Sequence, residues 1–149
     1  MKARLHTDGG ARGNPGPAGI GAVLIDESGE VIGELAEGIG IATNNVAEYR
    51  ALIAGLELAL AKGVTELEVL MDSELVVSQM QGQWKIRNKG LQPLALEANS
   101  LLNRFETTKL MHVPREANAD ADKLANQGMD AAELDVELDA ESGQGNLLE

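Results

Sequence analysis

The stretch Leu5-His6-Thr7-Asp8-Gly9-Gly10, running on to Asn14-Pro15-Gly16-Pro17, constrains this chain more than any other. Residues 1 to 8 alternate, Ala3, Leu5 and Thr7 against Lys2, Arg4, His6 and Asp8, which is the period of a β-strand. That strand delivers a carboxylate, Asp8, into a loop where glycine and proline set backbone angles that few other residues adopt. A negative charge held at such a junction needs a positive partner. Glu48, Asp72 and Asp122 also fall at ends of predicted elements, and a cluster of four carboxylates calls for a divalent cation or a shared proton.

A chain of 149 residues suffices for one domain with its own apolar core. The absence of cysteine excludes disulfides, thiolate zinc sites and a cysteine nucleophile; two histidines far apart in sequence, His6 and His112, do not suggest a zinc site. No apolar run reaches the length of a membrane span and the chain opens directly on a strand, so a soluble, cytoplasmic monomer is expected. The net charge of −12 argues at first against a polyanionic partner. Seven of the 24 acids, but none of the 12 lysines and arginines, lie from Asp130 onward, leaving 17 acids against 12 bases in residues 1–129. With four of those acids assigned to metal the body is nearly neutral, and nucleic acid stays open as a partner.

Ile20 to Ile25 reads as a buried strand and Glu30 to Ile39 as a third, giving an antiparallel meander. Thr43-Asn44-Asn45 carries helix-start chemistry, followed by Tyr49, Leu52, Ile53, Leu56, Ala59 and Leu60 at helical spacing up to Gly63. Glu66 to Met71 is a strand ending at Asp72, Ser73 caps a short helix through Met80, and Leu91 to Phe105 is again helical. Thr107 to Val113 makes the last strand and Asn118 to Gly128 the last helix. The expected fold is α/β: a five-stranded mixed sheet, three antiparallel strands plus two parallel, flanked by helices. Residues 1–129 form the domain; residues 130–149, acidic and without bases or aromatics, are expected to be a disordered tail or a linker to a second domain.

Asp8 and Asp72 end strands that, if parallel neighbours, bring the two carboxylates face to face. Glu48 lies one turn before Leu52, on or beside the apolar face of its helix, where an unneutralised acid costs several kcal/mol as an order of magnitude. Asp122 aligns with Ala125 and Met129. Oxygen donors without buried lysine or arginine partners fit Mg²⁺ or Mn²⁺. Taken singly, each acid also suits an ordinary role, as a turn or cap residue, a helix-dipole acid or a surface group.

Thr7-Asp8-Gly9-Gly10, with Gly13-Asn14-Pro15-Gly16-Pro17-Ala18-Gly19, resembles the opening strand and loop of type 1 ribonuclease H. Thr43-Asn44-Asn45-Val46-Ala47-Glu48 is similar to that family's first helix start, and Asp72-Ser73 to its second catalytic strand end. His112-Val113-Pro114-Arg115-Glu116-Ala117-Asn118, followed by Ala121-Asp122-Lys123-Leu124-Ala125, resembles its C-terminal motif. The four strings run in order over residues 2 to about 128.

The resemblance implies endonucleolytic hydrolysis of the RNA strand of an RNA/DNA hybrid, giving 5′-phosphate and 3′-hydroxyl products. It implies that Asp8 bridges two Mg²⁺ ions, with Mn²⁺ as a substitute, that Asp122 holds the ion that activates water, and that Glu48 and Asp72 hold the ion near the leaving oxygen. His112 matches a mobile histidine that assists water positioning or product release. Gly9, Gly10, Arg12, Asn14, Asn44 and Asn45 match contacts to the hybrid minor groove, and Thr43 and Asn88 match a pocket for a DNA-strand phosphate. Asn44 and Asn45 equally fit as helix caps, and His6 matches no ligand. Ile41 stands where an arginine of that pocket is often found. Many members insert a basic helical protrusion where Gln81 to Gly90 offers only Trp84, Lys85, Arg87 and Lys89, so this is a short form. Lower hybrid affinity and looser discrimination against double-stranded RNA follow. The alternatives are another nuclease or strand-transfer enzyme sharing the acids, and a hybrid-binding module without activity.

Overall fold

Strand β1 (Lys2–Ala11) buries Ala3, Leu5 and Thr7 on one face, as its alternation predicts. β2 (Gly16–Asp26) and β3 (Val31–Ala42) follow antiparallel; β4 (Glu66–Met71) and β5 (Thr107–His112) extend the other side in parallel, giving the order β3-β2-β1-β4-β5. The computed structural model describes the backbone of residues 1–148 and the side-chain surroundings of residues 1–141. The mixed sheet expected from the sequence is present, with one difference at β1. Its parallel pairing with β4 stops at Thr7 opposite Met71, whereas its antiparallel pairing with β2 runs on from Asp8 opposite Gly21 to Ala11 opposite Ala18. Asp8 therefore stands inside a strand, at the point where the sheet loses one neighbour.

Helix α1 (Asn44–Ala61) starts at Thr43, whose side chain accepts from the Val46 amide. It buries Tyr49, Leu52, Ile53 and Leu56 against Leu5, Leu24, Val69 and Met71, with α3 (Gln92–Leu102) beside it. Each such side chain contributes roughly 1.5–3 kcal/mol by leaving water. α2 (Glu74–Met80) is capped by Ser73, as expected. A 3₁₀ turn (Arg115–Asn118) leads into α4 (Ala119–Leu148), which crosses the opposite face of the sheet over β1, β2 and β3.

The seat of α4 is a seam of glycines. A Cβ added at Gly21 would stand 2.5 Å from Ala121 O and Ala125 N; at Gly19 it would stand 2.2 Å from Met129 N. From the helix side, a Cβ at Gly128 would reach 2.3 Å from Glu37 O. At these glycines helix and sheet meet backbone to backbone, with the small side chains of Ala121, Ala125 and Ala132 buried beside the contact.

The end expected for this helix at Gly128 is displaced. The helix runs to Leu148, Ala132 is fully buried over Gly38, and Asp130 and Glu133 pair with Arg12. Gly128 fits a helix interior here because its missing side chain permits the approach to β3. From Leu134 to Glu141 the helix is exposed, so packing against the sheet ends near Glu133.

Candidate active site

Asp8 projects from the α4 face of β1, and Asp72 follows the last residue of β4. Because Thr7 pairs with Met71, these carboxylates leave adjacent strands side by side. Glu48 comes from the second turn of α1, beyond the reach of the helix N-terminus, so the dipole does not account for its charge. Gly9 permits its approach: a Cβ there would stand 2.2 Å from Ala47 O. Asp122 lies in the first turn of α4. The four acids line one open cleft of about 380 Å³ together with Arg12 and Arg115.

Two neutral side chains hold these acids in place. Ser73 Oγ accepts from the Val76 amide while donating to Glu48 Oε2 at 2.5 Å, so one hydroxyl caps α2 and orients Glu48. Asn118 is 1% exposed; its Nδ2 donates to Thr7 O at 2.9 Å, and its Oδ1 lies 3.0 Å from His6 Nδ1. Asn118 therefore pins the start of α4 to β1 next to Asp8. His6 is a structural partner in that bond. Arg115, largely exposed, reaches Asp122 Oδ1 at 3.4 Å.

Burial and the surrounding charge raise two of the acids. Asp8 is pushed from its ordinary 3.8 to about 8, first by burial, then by the Asp72 charge and by hydrogen-bonding contact with Asp122 and Asp72. Glu48 is raised by burial and by the charge of Asp72, against a lowering by the Ser73 hydroxyl. An acid group driven this way invites either a proton or a cation. Among the described residues no three His, Cys, Asp or Glu side chains close tightly around one point. An open row of oxygen donors suits Mg²⁺, which holds few carboxylates and keeps positions for water and phosphate, and does not suit an enclosed structural metal.

The other residues singled out in the sequence are more dispersed. Gly9, Gly10, Arg12 and Asn44 line the acid cleft. Asn44 Oδ1 accepts from the Ala11 amide and Asn14 Oδ1 accepts from the Asn44 amide, so these two side chains tie the β1–β2 loop to α1. Thr43 caps that helix and Asn45 is exposed in its first turn. Asn88 lies outside the cleft lining, in the segment between α2 and α3, where its Oδ1 accepts from the Gly90 amide. His112 is exposed at the end of β5 opposite Met71 and is likewise outside the cleft lining. Sequence reasoning missed Asn118, the second bond of Ser73 and the acid partners of Arg12, all of which join residues far apart in the chain.

A family described as reverse transcriptase-like matches residues 6–128. RNase H1 from the archaeon Halobacterium salinarum superposes with a TM-score of 0.86 at 42% identity, over 89% of this chain and all of that one. The chain belongs to the type 1 ribonuclease H family. Within that family it is 50% identical over 142 residues to a bifunctional protein of Mycobacterium tuberculosis, covering 95% of this chain but 39% of the relative. The solved N-terminal RNase H domain of the mycobacterial protein has a TM-score of 0.84 at 50% identity, covering 87% of this chain and 99% of that one. LC11-RNase H1, solved in complex with an RNA/DNA hybrid, has a TM-score of 0.83 at 46% identity, over 87% of this chain and 98% of that one.

Proposed function

We propose that this domain hydrolyses the RNA strand of RNA/DNA hybrids, leaving 5′-phosphate and 3′-hydroxyl ends, with two divalent ions held by Asp8, Glu48, Asp72 and Asp122. The observation that carries the reading is that Asp8, Glu48, Asp72 and Asp122 line one open cleft at the end of the β1–β4 pair. LC11-RNase H1 with its hybrid, a relative of the same fold, supports the choice of substrate. Bound Mg²⁺ or Mn²⁺ supplies charge stabilisation for both the attacking and the departing oxygen of an in-line displacement.

The chain's own groups prepare that chemistry. Ser73 fixes the orientation of Glu48, and Asn118 fixes the start of the helix that carries Asp122. Asn44 and Asn14 hold the glycine loop in one conformation, presenting backbone close to the acids where a ribose strand can lie. His112, exposed on the adjacent strand end, handles water or product. The mycobacterial relative extends well past the matched region, and by analogy the exposed part of α4 beyond Glu133 serves as a connector to a second domain.

The test is cleavage of a labelled RNA/DNA hybrid, a double-stranded RNA and a double-stranded DNA in Mg²⁺, Mn²⁺ or EDTA, beside Asp8→Asn. Cutting confined to RNA, strongest in the hybrid, abolished by EDTA and by the substitution, is expected. Equal cutting of DNA, or persistence in Asp8→Asn, overturns the assignment.

A further inference from the structure

The acidic part of α4 reaches the cleft through one cation. Arg12 Nη1 donates to Asp130 Oδ1 at 2.5 Å and lies 3.0 Å from Glu133 Oε2, while Nη2 lies 3.4 Å from both Asn126 O and Asn126 Oδ1. Every partner comes from the same helix, and two carboxylates on one guanidinium leave the group negative. Arg12 nonetheless lines the cleft that holds Asp8. We propose that Asp130 and Glu133 form an acidic clasp that occupies Arg12 in place of a nucleic-acid phosphate and so sets the affinity for the hybrid. The inference rests on reading the cleft as a hybrid site.

The chemistry of exchange is direct. Carboxylate and phosphate oxygens engage the same planar fork of guanidinium donors, so a backbone phosphate takes Arg12 only when the carboxylates release it. Release is easy because both carboxylates meet water, the Asp130 side chain being 68% and the Glu133 side chain 42% exposed. Exposed pairs of this kind are weak and screened by salt. The clasp is thus a graded brake on binding, and it leaves the four acids untouched.

Asp130→Asn/Glu133→Gln tests this, with hybrid binding read by fluorescence anisotropy in EDTA and steady-state kinetics in Mg²⁺. Kd and KM are expected to fall about two- to fivefold, as suits an exposed pair, with kcat unchanged. Adding Arg12→Ala to the double variant should erase the gain. Asp135→Asn/Glu137→Gln removes the same charge from an exposed part of the helix and should leave Kd at the wild-type value. No gain, a gain that survives Arg12→Ala, or an equal gain from the 135/137 pair overturns the clasp. Tighter binding of an uncleaved hybrid would retain the clasp and reject the catalytic reading, whereas cleavage without an Arg12-dependent gain would do the reverse.

Discussion

Replacing Asp8 with asparagine should make the metal-free protein more stable while removing its activity. In the folded state the Asp8 pKa stands at about 8 in place of 3.8, so ionisation is penalised by burial and by Asp72 and Asp122. The loss of stability is absent below about pH 4, grows from there to about pH 8 because the unfolded chain releases a proton that the folded carboxyl keeps, and is complete above about pH 8. At about 1.36 kcal/mol per tenfold, full conversion of that displacement sets a ceiling of about 6 kcal/mol. The cleft is open to water and the repulsion is shared among three carboxylates, so about 2 kcal/mol is expected. For a domain of this size that corresponds to a rise of roughly 4–8 °C in melting temperature. Asparagine keeps the shape and offers amide hydrogens to Asp72 and Asp122. Thermal melts of both proteins in EDTA from pH 4 to 9 should diverge as pH rises, with wild type losing stability and the variant holding it. Mg²⁺ should then narrow the gap by stabilising wild type alone. Equal melting temperatures at pH 8 in EDTA, or a difference of the same size at pH 4, would refute the account of a charge held under strain for a cation.

Ser73→Ala removes a cap and the donor to Glu48 together; it should cost about 1 kcal/mol in denaturant unfolding and lower kcat more than it raises KM. Gly21→Ala sets a methyl group against Ala121 O and Ala125 N, and a loss of about 3 kcal/mol is expected by the same measurement. A chain cut after Met129 loses buried Ala132 and both acidic partners of Arg12, and should melt earlier than one cut after Leu138, which keeps all three.

The sequence made local relations visible and left distant ones hidden. Alternation in residues 1–8 placed Asp8 on a known face, and Thr43 and Ser73 announced their helices, because strand period and capping act within a few residues. The adjacency of Asp8 and Asp72 depends on the register Thr7 to Met71, and that pairing is fixed only when β4 docks. The Ser73 bond to Glu48 spans 25 positions and the Arg12 bond to Asp130 spans 118. Gly128 misled for a physical reason. A glycine before an acidic, weakly apolar segment has the form of a helix stop, and only the presence of Glu37 across from it shows that the missing side chain serves the packing.

The glycine seam under α4 bears on how this site tolerates error. A contact built of side chains can absorb a misfit by changing rotamers; one built of two backbones has no such adjustment. α4 carries Asp122 at its start and the partners of Arg12 further along, so any thickening of the seam shifts both relative to Asp8. The helix behaves as a ruler laid on the sheet, and a flaw beneath it should register in turnover while the sheet itself still folds.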